Sequence, residues 1–373
     1  MPNSKNILIN TEVGSSGNYK YLKDILNNMG SNWNNNFTDN FDFNRFGSPE
    51  REVINGGKTL LEIVKYCDEL DRFYSLLEDE SSRYIFIQVL SFRILGHRKI
   101  KLPFSTKDYW QSIKKINEIS ELFDKNNYLE ADFPGSDKIK LYYADLNCLN
   151  IPVKLFNTPI GILIQFLIKQ YEYSIDQNIK IGAKPGDVVI DGGACWGDSA
   201  LYFGEKVGHN GMVYTFEFIP DNLKILKNNL SLNPNIVKRI KVLEKPLWET
   251  SGVEMFFRNN GPGSTVSLKP SPNLDEMVSS ISIDDVVREE NLKKVDFIKM
   301  DIEGSEQKAI KGAMNTLGRF RPQLAISVYH NFGDDFAHIA NMLDALNLGY
   351  KFYLNHFTIH HEETVLFATV GDR

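Results

Sequence analysis

At 373 residues the chain is longer than the size at which a single hydrophobic core usually stops growing, which predicts at least two domains. Hydrophobic residues at 42% and charged residues at 24% fit an ordinary folded globular protein, and a formal net charge of -6 offers no global basic field, so nucleic acid is not expected as a partner. The three cysteines, Cys67, Cys148 and Cys195, are widely spaced and form no CxxC pair, which suggests neither a disulfide framework nor a zinc site and fits a reducing, cytoplasmic setting.

Residues 1–58 are rich in Asn, Ser and Gly, with Trp33 among Asn32, Asn34, Asn35 and Asn36, and Phe37, Phe41, Phe43 and Phe46 scattered before Pro49. That composition predicts a loop-rich arm, with a helix only over Tyr19 to Met29. The Ile7-Leu8-Ile9 triplet is too short for a secretory core. From Thr59 apolar residues recur at helical spacing. Leu60, Leu61, Val64, Leu70, Phe73, Leu76 and Leu77, then Tyr84, Ile87, Leu90 and Ile94 before Gly96, predict two packed helices. A third helix is expected over Tyr109 to Phe123, ending at the polar Asp124-Lys125-Asn126-Asn127. Residues 59–150 thus read as a mainly helical accessory domain.

Short alternating segments, Ile139 to Tyr143 and Ile151 to Phe156, read as strands, and Pro159 to Gln177 as a helix. Its apolar part, Pro159 to Ile168, is about half the length of a membrane-spanning helix, so no membrane span is expected. After Lys184-Pro185-Gly186-Asp187 strands and helices alternate: strand 188–191, helix 199–206, strand 212–218, helix 220–230, strand 240–243, then strand 295–300, helix 305–317 and strand 323–328. Such spacing implies crossovers and a parallel sheet. The tail differs. After a helix over 335–346, strands 350–354 and 364–369 are joined by a polar turn alone, which predicts an antiparallel hairpin at the sheet edge. The fold class expected is α/β, a Rossmann-like sheet over 151–373 with an antiparallel edge hairpin, preceded by the helical region.

Asp191-Gly192-Gly193-Ala194-Cys195-Trp196-Gly197-Asp198 follows the first of these strands and precedes a helix, where an open α/β sheet binds its ligand. Glycines at 192, 193 and 197 do not fit G-x-G-x-x-G, and an acid at the strand tip repels a pyrophosphate. It attracts an ammonium instead, as carried by S-adenosylmethionine. Glu217, at the end of the second strand, is placed to accept the hydroxyls of a ribose, with Phe218 beside it to pack on a base or to join the core. The cofactor-binding set read from the sequence is Asp191, Gly193, Trp196, Gly197, Asp198, Ser199, Glu217 and Phe218.

A third strand tip carries Asp301-Ile302-Glu303-Gly304. Its two carboxylates are expected to hold the acceptor, the cofactor or a divalent ion, the metal being undecided, while Asp301 alone could simply cap a helix. His330 follows the fifth strand and is the candidate general base for a hydroxyl acceptor. Asp301, Glu303 and His330 form the catalytic set. His356, His360 and His361 lack a convincing metal spacing and stay unassigned.

In these residues the chain resembles the FkbM family of S-adenosylmethionine-dependent methyltransferases. The matching stretches are Val188 to Ala194 with Trp196-Gly197-Asp198, Phe216-Glu217, Ser282-Ile283-Asp284-Asp285, Val295 to Gly304, Ala325 to His330, and Glu363 to Leu366. The resemblance spans about residues 155–372. It implies O-methylation, commonly of sugars or of hydroxyls on polyketide-like products, with Asp191, Gly193 and Glu217 on the cofactor. Cys195 departs from the Asn that the family often carries there. The expected acceptor is a saccharide or small molecule, shaped by the N-terminal region and by a loop-like insert, Gly252 to Ser280, read as closing over the pocket. A protein or RNA acceptor and a non-catalytic binding subunit stay open as alternatives, as does homo-oligomerisation.

Overall fold

The computed structural model describes residues 19–42, 56–118, 122–132, 138–175, 179–270 and 276–371. The loop-rich reading of 1–18 and 43–55, with Phe43, Phe46 and Pro49, lies outside the described residues, as does Gln177.

Helices come first: α1 (Lys20–Asn32), α2 (Gly56–Lys65), α3 (Cys67–Leu76), α4 (Glu80–Leu95) and α5 (Lys107–Glu118). Where two helices were expected between 59 and 96 there are three, because the chain breaks at Tyr66 and again at Leu77. Asp79 then caps α4 by accepting from the Ser82 backbone N–H at 2.6 Å. The predicted helix to Phe123 stops at Glu118, and Phe123 instead opens strand β1 (Phe123–Ala131). β1 pairs antiparallel with β2 (Ile139–Asp145), which pairs antiparallel with β3 (Lys154–Asn157). The polar run that reads as a loop thus lies on an exposed strand, paired on one side only.

The helix expected over 159–177 is one α-turn, α6 (Pro159–Ile162), started by a Thr158 side-chain cap and continued as a π-helical turn over Leu163–Ile168. A hairpin follows, β4 (Tyr173–Ile175) with β5 (Ile179–Ile181).

The alternating segments build one seven-stranded sheet: β6 (Val188–Gly192), β7 (Met212–Phe216), β8 (Ile240–Leu243), then, past a small antiparallel sheet of β9 (Glu254–Phe257), β10 (Val266–Ser267) and β11 (Glu276–Ser279), β12 (Phe297–Met300), β13 (Gln323–Ser327), β14 (Lys351–His356) and β15 (Thr364–Thr369). The order is β14-β15-β13-β12-β6-β7-β8. β8, β7, β6, β12 and β13 run parallel, and β15 inserts antiparallel beside β13 with β14 outside it. The predicted edge hairpin is therefore present. Connecting helices include α7 (Asp198–Lys206), α8 (Pro220–Ser231), α9 (Ile283–Glu289), α10 (Glu306–Lys311), α11 (Met314–Phe320) and α12 (Phe332–Asp344). The insert expected as a loop folds partly as the β9–β11 sheet.

The N-terminal helices share a core with one face of the sheet. Tyr21, Phe73 and Phe86 are fully buried in the same apolar cluster as Ile326, Phe336 and Leu354, with the Phe73 and Phe86 rings 5.3 and 5.2 Å from that of Phe336. The segment around Phe41 is anchored too: Asn40 donates to the carbonyls of His97 and Ile100 at 2.6 and 2.8 Å, and His360 Nε2 accepts the Asp42 backbone N–H at 3.1 Å. Among the described residues no helix is long and apolar enough to cross a membrane.

Candidate active site

Parallel strands release their chains at one edge, and the candidate residues gather there. Strand register puts Asp191 beside Thr215 on one neighbour and Lys299 on the other. All three side chains are buried. Asp191 accepts from Thr215 Oγ1 at 2.7 Å and from Ser199 Oγ at 2.9 Å, and Lys299 Nζ lies 3.3 Å from it. Lys299 also donates to the carbonyls of Gly192 and Gly193, at 2.9 and 2.5 Å. Burial alone would lower the Lys299 pKa, but Asp191, Asp301 and Asp198 outweigh it and hold the ammonium above its ordinary value.

Asp191, read from the sequence as a ligand for a cationic group, is met here by a cation of the chain itself. Its carboxylate faces a lysine within the sheet and does not line the cleft. The same holds for its neighbours. Trp196 packs with Ala131, Leu141, Phe156 and Ile225. Gly197, at φ 87°, starts α7, and Asp198 accepts from Asn157 Nδ2 at 3.2 Å. Ser199 is engaged with Asp191, so Trp196, Gly197, Asp198 and Ser199 hold the bend in shape from behind.

The cleft itself is lined by Gly193, Glu217, Phe218, Asp301 and Glu303, five residues that the sequence singled out. Gly193 adopts φ +79°, and a Cβ there would sit 1.9 Å from the Asp301 carbonyl oxygen, so only glycine lets the two strand tips approach. Glu217 Oε1 accepts the backbone N–H groups of Phe218 and Ile219 at 2.7 and 2.8 Å, and Asn222 Nδ2 lies 3.3 Å from Oε2. Burial nevertheless pushes the Glu217 pKa up to about 7, against those donors. Asn222 Oδ1, in the same wall, is buried without a hydrogen-bond partner. Phe218 meets Phe257 of β9 edge-on at 5.2 Å, which ties the insert to the cleft, and Gly261, Pro262 and Ser264 of the insert line it as well.

At the far end Asp301 accepts from Tyr171 Oη at 2.8 Å and Tyr329 Oη at 3.2 Å. Burial would raise its pKa, but His330 and Lys299, with the two tyrosine bonds, hold it below the usual carboxylate value. His330 is surrounded by acids. Its Nδ1 lies 3.0 Å from Glu306 Oε1, and its Nε2 3.3 Å from Asp301 and 3.4 Å from Glu303. Burial alone would lower the His330 pKa, but Glu303, Glu306 and Asp301 push it up to about 11. Those carboxylates favour the protonated ring, which donates, whereas a general base at this position needs the neutral ring.

Asp301, Glu306 and His330 also offer one ligand atom each within 4.8 Å of one another, a group able to hold a cation only if the ring gives up a proton. His356 is internal, fully buried against Thr364 and pushed down to about 3 by burial, and belongs to the hairpin core.

Sequence reasoning missed Lys299, Glu306, Tyr171 and Tyr329. One signal was legible: a lysine inside the otherwise apolar strand Phe297–Met300 demands a buried counter-charge.

The strand order, the antiparallel penultimate position of β15 and the cleft at the carboxyl edge define a methyltransferase-type α/β fold. Residues 180–352 match the model of the methyltransferase FkbM domain. The fold is similar to the crystal structure of methyltransferase FkbM from Methylobacillus flagellatus, with TM-score 0.51 and 20% identity over 83% of this chain and 60% of that one. The chain thus spans 60% of the length of that protein. Weaker likenesses include Methanococcus jannaschii fibrillarin, a pre-rRNA processing protein (TM-score 0.36, 14% identity, 65% of this chain and 94% of that one). Another is Aeropyrum pernix fibrillarin with natively bound S-adenosyl-L-methionine (TM-score 0.34, 12% identity, 65% and 99%). No curated protein matches the chain.

Proposed function

We propose that the chain is an S-adenosylmethionine-dependent O-methyltransferase acting on a hydroxyl of a sugar or glycosylated natural product. The observation that carries the reading is Glu217, a buried carboxylate at the second strand tip, facing a cleft whose other end presents Asp301 and Glu303. Ribose hydroxyls are donors, and Glu217 is an acceptor with Oε1 fixed by two backbone N–H groups. The orphaned Asn222 Oδ1 beside it is a further acceptor awaiting a donor, and Phe218, Pro246 and Leu247 offer an apolar slot for a base. Asp301 and Glu303 suit a positively charged sulfonium and ammonium.

Bound there, S-adenosylmethionine supplies an electrophilic methyl group. The chain's own residues orient the acceptor, exclude water through the insert, and take up the hydroxyl proton as the oxygen–carbon bond forms and the methyl–sulfur bond breaks, leaving a neutral thioether. Glu303, whose side chain is 33% exposed, is the carboxylate with a route to solvent for that proton, while Asp301 is locked by two tyrosines and His330. The accessory helices and the insert are assigned to acceptor selection.

Calorimetric titration with S-adenosylmethionine tests the cofactor, and transfer of a labelled methyl group to a panel of saccharides and hydroxylated natural products tests the reaction. Micromolar binding that Glu217→Ala weakens at least about tenfold, a loss of roughly 1.4 kcal/mol, is expected. Binding without transfer to any acceptor favours a non-catalytic subunit, and wild-type affinity in Glu217→Ala removes the site.

A further inference from the structure

A second cleft, about 390 Å³, opens on the other side of His330. Helix α2 contributes Lys58, Glu62 and Lys65 to it, α4 contributes Arg93, and the turn entering α12 contributes His330 and Asp334. Its volume falls within the range of small-molecule sites, which run from about 300 to 1,000 Å³. The two clefts are separated by His330, which lines the second and whose Nε2 lies 3.3 Å from Asp301 and 3.4 Å from Glu303, both lining the first.

The charges in this second cleft are unevenly matched. Asp334 is already engaged by Gln307 at 2.9 Å and by His338 at 3.2 Å, and Glu62 lies 3.8 Å from Lys58. His330 is offset by its own three carboxylates. Lys65 and Arg93 differ. The Lys65 ammonium donates to a neutral oxygen, Tyr66 Oη, at 2.6 Å. Arg93 donates to the carbonyls of His361 and Tyr329, at 2.7 and 3.3 Å, and stacks 3.8 Å over the Phe332 ring. Stacking on Phe332 fixes the guanidinium plane, and burial lowers its pKa to about 10, still fully charged at neutral pH. Both cations hydrogen-bond to neutral oxygens, while carboxylates act on them only through space, Glu362 and Glu62 on Arg93 and Asp334 and Glu62 on Lys65. Guanidinium and ammonium groups so placed bond most strongly to carboxylate or phosphate.

We propose that this cleft is the acceptor subsite and that Arg93 and Lys65 bind an acidic group, carboxylate or phosphate, on the saccharide acceptor. The proposal rests on the methyltransferase reading and narrows its acceptor to acidic sugars. An anionic group held by α2 and α4 directs the rest of the acceptor toward His330 and Asp301, at the wall between the two clefts. The N-terminal helices are then the specificity element of the enzyme.

Titration of the full chain with D-glucuronate, D-glucose 6-phosphate and D-glucose, followed by calorimetry or saturation-transfer NMR, tests this directly. These probes share a ring and differ in the acidic group. The acids are expected to bind at least about tenfold tighter than glucose, with the preference shrinking as salt rises. The order of the two acids tells carboxylate from phosphate as the natural group. Lys65→Glu, at an exposed helix position, is expected to abolish the preference, and Arg93→Lys to reduce it, with circular dichroism reporting the fold of each. Equal affinity for acid and neutral sugar, no saturable binding of either acid, or a preference unchanged in Lys65→Glu overturns the subsite. S-adenosylmethionine titrated into the same samples separates the two claims: cofactor binding without an acid preference refutes the subsite alone, and absent cofactor binding refutes the reading on which it rests.

Discussion

Lys299 Nζ lies 3.3 Å from Asp191 Oδ1, and neither side chain is more than 1% exposed. A buried ion pair of this kind is costly to break from one side, because the remaining charge is left in a low-dielectric interior. Asp191→Asn and Lys299→Met are each expected to destabilise the fold by about 3–5 kcal/mol in chemical denaturation. The double variant should recover part of that loss. Single variants as stable as the wild type would show that the pair is not held as described. A loss of cofactor binding in an Asp191 variant therefore counts for direct contact only where its folded fraction, measured alongside, is unchanged.

His330 makes stability depend on pH in a defined direction. Its folded pKa is raised to about 11 from an ordinary 6.5, once Glu303, Glu306 and Asp301 outweigh its burial. A raised pKa contributes stability that is complete below 6.5 and lost as pH climbs toward 11. Thermal melts of the wild type between those limits should fall more steeply than those of His330→Gln. NMR titration of the ring should find it doubly protonated at neutral pH, and a neutral ring there would restore it as the base.

Glu217 gives the opposite handle on function. Burial raises its pKa to about 7, so the carboxylate charges across the neutral range. Cofactor affinity should rise with pH through about 7 in the wild type and stay flat in Glu217→Gln. A pH-dependent rise that persists in the glutamine variant would assign it to another group.

Gly193→Ala puts a Cβ 1.9 Å from the Asp301 carbonyl at a positive φ. Strain of this type costs about 1–3 kcal/mol, and the two strand tips must also part. Cofactor affinity should fall along with thermal stability. Full affinity in a stable Gly193→Ala variant would mean that the tips do not need to touch.

The imidazolium of His330 already supplies the positive charge that a divalent ion would bring to Asp301 and Glu306. Methyl transfer is therefore expected to survive exhaustive treatment with a chelator. Loss of activity that magnesium or manganese restores would convert Asp301, Glu306 and His330 into ligands.

Much of this architecture was legible because its signals are local. Most of the parallel strands, such as Val188–Gly192, are short apolar runs ended by an acid or glycine, and the closing hairpin shows as two strands without a helix between them. The cleft residues Gly193, Glu217, Asp301 and Glu303 all sit at such ends, which is why chain position alone found them. What Asp191 and His330 do was not legible, since it depends on register and on packing between distant segments. Asp191 faces Lys299 because β12 lies beside β6, and His330 meets Glu306 because α10 brings it there. The strand Phe123–Ala131 was hidden by its exposure, which removes the alternation of apolar residues that marks a strand.

The central claim is that a sulfonium nucleoside lies against Glu217 with its reactive end toward Asp301. A crystal structure of the protein soaked with S-adenosylhomocysteine tests it most directly. Ribose hydroxyls within hydrogen-bonding distance of the Glu217 carboxylate, with the sulfur on the Asp301 side of Gly193, are the predicted result. The nucleoside bound elsewhere, or a cleft that stays closed to it at saturating concentration, would contradict the account.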